Sequence, residues 1–205
     1  MFDSICILIR IKQKMTEKKT KQKNKIGLYE ELALPDEISV EIKNDFLVMK
    51  RDGNELSRKL NNLISFRLEE NKLIVSSQRD RRIEKRLFGT FLAHVKNMIE
   101  GLINGFKYKL QIANVHFQMN VSYSRENNEL VVKNFLGEKK DRRIKLLPNV
   151  EVKVDKEIIE LKSFDIEKAG QSATNIEKGT KVRNKDRRVY QDGIFIIEKP
   201  GRTYL

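Results

Sequence analysis

Two stretches of this chain carry nearly the same pattern, NDFLVMK at residues 44–50 and NNELVVK at 127–133. Two further pairs keep step with them: FRLEENKLIV (66–75) answers VKVDKEIIEL (152–161), and GTFLAHV (89–95) answers GQSATNI (170–176), all at offsets of 81 to 86 residues. A near-constant offset over three separate segments is what one unit copied in tandem leaves behind, with small changes of loop length. The chain therefore has to fold as two versions of one module, with the boundary expected near Phe106.

Within each copy the apolar residues first alternate and then recur at helical spacing. Ile38, Val40 and Ile42 alternate with polar residues, Asn44-Asp45 makes a tight turn, and residues 46–50 return as a second strand before the Asp52-Gly53 turn. Phe66 and Leu68, a turn at residues 70–71, and Leu73 to Val75 give a further pair. Leu87, Phe91, Val95, Met98 and Leu102, with Ile99, Ile103 and Phe106 alongside, then mark one broad helical stripe, with Asp80 expected to cap its start. The second copy repeats the plan. Strands are expected at 108–112, 115–123, 130–135, 150–154 and 158–161, followed by a short helix capped by Asp165, with Ile166, Ala169, Ala173 and Ile176 on one face and Gly179 as a left-handed C-cap. The reading is an α+β fold, a tandem duplication of a small module of four strands and one helix, each with an antiparallel-rich sheet packed against its helix.

Charge is distributed unevenly over this plan. The net charge is +13, but residues 1–25 hold eight Lys and Arg against two acids, residues 178–205 hold eight against three, and the stretch between holds 26 against 24. A basic end of this kind favours a polyanionic partner, because cations that neutralise phosphates gain affinity by counterion release. The first 25 residues have almost nothing to bury and read as a tail, either a solvated arm or one that contacts a polyanion. Met15 offers a second start. Ile5 to Ile11 is too short for a membrane span and poorly formed for a signal peptide. Cys6 alone makes no internal disulfide, and with only His94 and His116 no zinc set is present. No metal and no cofactor is expected, and a soluble, intracellular chain is. No P-loop, dinucleotide-binding glycine pattern or nucleophile elbow occurs, which argues against an enzyme and a small-molecule substrate.

The segment 163–197 carries the chemistry. Lys168, Gln171 and Asn175 lie on the polar face of the short helix, and Lys178, Lys181, Arg183, Lys185, Arg187 and Arg188 follow it. Arginines make bidentate phosphate contacts that lysines cannot. Folded RNA is recognised largely by shape, through phosphates and 2′-hydroxyls. Gln171 and Asn175 could reach ribose or base edges. Tyr190 either stacks on an unpaired base or anchors the last strand in the core, and Gly170 marks either tight packing on the sheet or close approach to a phosphate backbone. Gly179 and Gly193 would let backbone N–H groups approach RNA. The loop GEKKDRR supplies Lys139, Lys140, Arg142 and Arg143 as secondary RNA contacts, while the DRR at 80–82 reads as structural.

The runs GTFLAHVKNMIEGLINGFKYKLQIANVHFQMNV, NFLGEKKDRRIKL and GQSATNIEKGTKVRNKDRRVYQDGIFIIEK, in this order, resemble the universal large-subunit ribosomal protein six family in its archaeal and eukaryotic branch. The likeness runs from Glu30 to Lys199. It implies a basic, flexible extension over 1–29, a first module over 30–106, a second, mainly rRNA-binding module over 107–199, and a chain-specific tail over 200–205. It further implies a structural, cytoplasmic component of the large ribosomal subunit whose partners are large-subunit rRNA and neighbouring ribosomal proteins, with no membrane, near the sarcin-ricin region that translation factors contact. The RNA-facing segment it carries over is Gly170, Gln171, Asn175, Lys178 and the run Lys181 to Gly193. The competing reading is a stand-alone module that binds RNA or an acidic protein away from the ribosome.

Overall fold

The computed structural model describes residues 27–69 and 71–204. The basic tail with Cys6 and Met15, the turn residue Glu70 and the terminal Leu205 lie outside the described residues. The chain divides into two compact units, Met1–Ile99 and Glu100–Leu205. All strand pairings among the described residues are antiparallel.

The first unit holds β1 (Leu28–Ala33), β2 (Ser39–Lys43), β3 (Phe46–Arg51), β4 (Asn54–Lys59), β5 (Ser65–Glu69) and β6 (Lys72–Ser77). The long helix α1 (Arg82–Asn104) follows. Its strands form two sheets, β2-β3-β4 and β1-β6-β5. The turns are those the sequence signals. Asn44 and Asp45 both sit at positive φ (44° and 63°), as do Asp52 and Gly53 (48° and 80°), the left-handed pairs that suit the twist of a two-residue hairpin.

The second unit holds β7 (Phe106–Ala113), β8 (Asn120–Ser124), β9 (Glu129–Lys133), β10 (Arg142–Lys145), β11 (Glu151–Val154) and β12 (Ile158–Ser163). The helix α2 (Ile166–Gly179) and the strands β13 (Gly193–Lys199) and β14 (Arg202–Thr203) complete it. Its sheets are β8-β9-β10 and β11-β12-β7-β13-β14. The duplication is plain in this topology. The meander β2-β3-β4 corresponds to β8-β9-β10, and the order β1-β6-β5 to β7-β12-β11, with a helix after each. The aligned sequence pairs fall on β3 and β9, on the hairpins β5-β6 and β11-β12, and on α1 and α2. The second copy differs by adding β13 and β14 on the far side of β7.

Each copy has two strands that the pattern did not show, β1 and β4 in the first and β10 and β14 in the second. β1 and β4 escape it because short, charged edge strands such as LYEELA and NELSRK show little alternation. β1 also starts at Leu28, inside the stretch 1–29, and residues 202–203 of the expected tail pair back onto β13. The strand expected over 115–123 begins only at Asn120. The N–H groups of residues 115–117 are instead taken by a side chain, described below.

Both helices also correct the sequence reading in detail. In α1 the buried face runs through Phe88, Leu92, Val95, Met98 and Leu102, while Leu87 and Phe91 are half-exposed and Ile103 is exposed. The apolar arc is wide enough to be centred on either set, and only the sheet decides. The first bond of α1 runs from Lys85 N–H to the Arg81 carbonyl, so Asp80 does not cap it and pairs with Lys85 at 3.1 Å. In α2 Asp165 is the N-cap, accepting the Glu167 N–H at 3.0 Å.

Gly179 is not a left-handed cap. It is the last residue of α2, and Thr180 caps with φ −100°. A Cβ on Gly179 would lie 2.7 Å from both Cγ1 and Cδ1 of Ile144 on β10, so glycine is needed there for close approach. The same logic seats the rest of the helix: Ala169, Ala173 and Ile176 are fully buried against Leu110, Leu130, Ile159, Leu161 and Ile194. Gly179→Ala should therefore destabilise the chain by about 1 kcal/mol, although alanine is favoured by about 1 kcal/mol in an open helix. A urea midpoint that rises in the variant would show that Ile144 yields without cost.

Candidate nucleic-acid interface

The loop between α2 and β13 is long but tied down from inside. Thr180, 1% exposed, donates its hydroxyl to the Ile176 carbonyl at 3.0 Å and accepts the Ile194 N–H at 3.1 Å, which joins the helix end to the first turn of β13. Val182 is buried in the core. Asp186 closes a turn: its carboxylate accepts the Arg188 N–H at 2.9 Å and its carbonyl accepts those of Val189 (3.2 Å) and Tyr190 (2.9 Å).

Asp192 is the strongest tether. Its carboxylate is fully buried, and one oxygen accepts the N–H groups of Val115 (2.9 Å), His116 (2.9 Å) and Phe117 (3.3 Å). The other oxygen lies 2.8 Å from His116 Nδ1. These bonds replace the strand expected over 115–119, because the backbone donors that a ladder would use are taken. Burial by itself raises the Asp192 carboxyl, but the His116 N–H and ring and the N–H groups of Phe117 and Val115 outweigh it and hold the pKa down at about 2.

With both acids of the loop committed internally, its cations face outward. Lys178, Lys181, Arg183, Lys185, Arg187 and Arg188 are all exposed, and among the described residues none has a carboxylate within ion-pair distance. Lys185 Nζ lies 4.6 Å from the centre of the Tyr190 ring, and the His116 ring lies 5.3 Å from it at 38°. Tyr190 is thus half-buried at the edge of the core. An open groove of about 570 Å³ lies beneath, lined by Lys178, Lys181, Arg187, Tyr190, Asp192 and Phe195 among others.

The remaining predicted residues divide. On α2, Gln171 donates its amide to Asn175 Oδ1 at 2.8 Å, and Asn175 in turn reaches the Lys145 carbonyl at 3.5 Å, so the two act as one polar ridge beside the half-exposed Lys168. Gly170 lies over the sheet, where a Cβ would meet the Tyr108 hydroxyl at 2.9 Å. Gly193 is buried against Phe195 and the Thr180 carbonyl. Lys139, Lys140 and Arg143 are exposed. Arg142 is engaged within the protein. It forks onto Glu138 (2.8 and 2.5 Å), donates to the Gly179 carbonyl at 2.9 Å, and stacks 3.9 Å over the Phe135 ring. The run Lys181 to Gly193 is not RNA-facing throughout, since Val182 and Asp192 within it are buried. Sequence reasoning gave His116 no role, and the one signal for Asp192 as a tether was Asp-Gly immediately before β13.

Among the described residues no group of three or more His, Cys, Asp and Glu could hold a metal ion, and no helix is long and apolar enough to cross a membrane. The arrangement is a concave, cationic surface with ring side chains in it, suited to binding a polyanion.

The tether by Asp192 makes a pH prediction. A carboxyl whose folded pKa of about 2 lies below its ordinary 3.8 adds stability that is fully present above pH 3.8 and disappears as pH falls through about 2. Asp192→Asn should cost about 2 kcal/mol at neutral pH, measured by urea unfolding. The gap to the native chain should narrow between pH 4 and pH 2; a constant gap would remove the charge from this account.

The Ribosomal protein L6 family pattern matches residues 118–193, from the loop before β8 to the first residue of β13. The large ribosomal subunit protein uL6 of Methanococcus vannielii is 38% identical over 175 residues, covering 85% of this chain and 95% of that protein. The proteins of that name from Desulfurococcus amylolyticus (38%, with 83% and 94% covered) and Staphylothermus marinus (40%, with 83% and 94% covered) are similar to the same extent. At this identity over nearly the whole length of these relatives, the chain belongs to the uL6 family of ribosomal proteins.

Proposed function

We propose that this chain binds large-subunit ribosomal RNA through the polar face of α2 and the loop 180–192, near the sarcin-ricin region where translation factors act. It is a structural constituent of the large ribosomal subunit, in the cytoplasm, and not an enzyme. One observation supports the RNA-binding surface above the others. Lys178 at the end of α2 and five cations on the loop, Lys181, Arg183, Lys185, Arg187 and Arg188, are exposed, and neither acid of the loop forms an ion pair with them. Such a loop loses little conformational freedom on binding and meets a phosphate array with unpaired charge.

Lys168, Gln171 and Asn175 extend this surface along α2, with Lys139, Lys140 and Arg143 as a second set of phosphate contacts. Arg142 supports the second set by fixing the turn that carries Lys139 and Lys140. Neighbouring ribosomal proteins are the remaining partners.

Replacing Arg183, Arg187 and Arg188 together with alanine should weaken binding to large-subunit rRNA. The slope of log affinity against log salt should fall by up to about one unit per lost phosphate contact. The variant stays folded, since all three side chains are exposed, and an unchanged slope would show that they do not face RNA. A tagged full-length chain should migrate with large subunits in a sucrose gradient. A chain that remains at the top while subunits migrate belongs instead to a module working off the ribosome.

A further inference from the structure

The groove beside the cationic loop is not explained by contacts to duplex phosphates. A helical backbone presents charge along a ridge and needs no cavity, yet here about 570 Å³ of concave space lies under the loop. That volume is in the range of sites built for small ligands, about 300–1,000 Å³. Its wall combines three cations, Lys178, Lys181 and Arg187, with the rings of Tyr190 and Phe195. Phe195 is 37% exposed on β13, which is paired there with β7 alone, so this apolar surface faces water in the chain alone. Cations beside ring faces are what proteins use to hold unpaired nucleotides, since every base has a face to stack while its phosphate needs a donor.

A second set of contacts fixes one of those rings. One oxygen of the buried Asp192 carboxylate holds the backbone of residues 115–117, and the other lies on the His116 ring, which packs at 5.3 Å against Tyr190. The Tyr190 backbone is held separately by Asp186. Both the ring and its chain are thereby set before any ligand arrives. Lys185, exposed and 4.6 Å from the ring centre, is a flexible cover that a base can displace toward its own phosphate.

We propose that this groove takes a single unpaired nucleotide of the RNA, its base against Tyr190 and Phe195 and its phosphate among Lys178, Lys181 and Arg187, with Asp192 and His116 as positioning residues for the Tyr190 ring. The inference rests on the RNA-binding reading above and adds to it the kind of RNA element recognised.

The test uses the full-length chain with two hairpin RNAs of equal length, one fully paired and one carrying a single bulged 2-aminopurine. The bulged hairpin should bind about tenfold more tightly, in line with one base stacked on a ring, and its fluorescence should be quenched on binding. Tyr190→Leu should bring the affinity ratio toward one and abolish the quench, while Tyr190→Phe keeps both. His116→Ala removes the support behind the ring but leaves the Asp192 bonds to the loop, and should also lower the ratio, with an unchanged far-UV circular dichroism spectrum. Equal binding of the two hairpins without a quench overturns the nucleotide groove and leaves the RNA surface standing. Binding of neither hairpin overturns both. A full ratio in His116→Ala removes the positioning role.

Discussion

A buried carboxylate turns two loops of the second unit into one surface. Asp192 gathers three backbone N–H groups and an imidazole from residues 115–117 at a point where neither loop has regular structure of its own. An irregular segment has to place its polar backbone groups somewhere, and most run over the surface where water takes them. Here a side chain takes them, so the loop 114–119 is held to the start of β13. Thr180 does similar work from the other side, joining the helix end to β13. The exposed cations stand on a frame closed at both ends.

The duplication explains why this frame exists in one copy alone. Both units have a three-stranded meander, a sheet of matching strand order and one helix. The first helix is long and carries bulky residues, Phe88, Leu92 and Met98, on its buried face. The second is short, and Ala169, Ala173 and Gly179 let it sit close to the strands beneath. The second copy then adds β13 and β14 beside β7, and the connection to β13 is the cationic loop. Its position, at the end of a closely packed helix and the start of an added strand, follows from that extra pairing.

Several arginines and glycines that look alike in sequence do different work. DRR occurs at 80–82, 141–143 and 186–188. In the second of these Arg142 is held by Glu138, the Gly179 carbonyl and the Phe135 ring, while in the third both arginines are exposed. The difference lies in what is packed alongside. Phe135 and the end of α2 are neighbours of Arg142 in space and distant in sequence. Gly170 and Gly179 likewise read as places where backbone could approach a ligand, but each lies against a side chain of a facing strand, Tyr108 and Ile144.

The sequence by itself determined the duplication, the hairpins with their Asn-Asp and Asp-Gly turns, the cap of α2 and the basic segment that follows it. These depend on residues close together in the chain, or on a repeat visible within it. Tertiary structure alone decided which side of the α1 stripe is buried, why Gly179 is glycine, why Arg142 is held within the protein while Arg187 and Arg188 are exposed, and how Asp192 and His116 join two loops 70 and more residues apart. Each of these depends on what a long-range partner leaves exposed or unpaired, and a linear pattern carries no record of that.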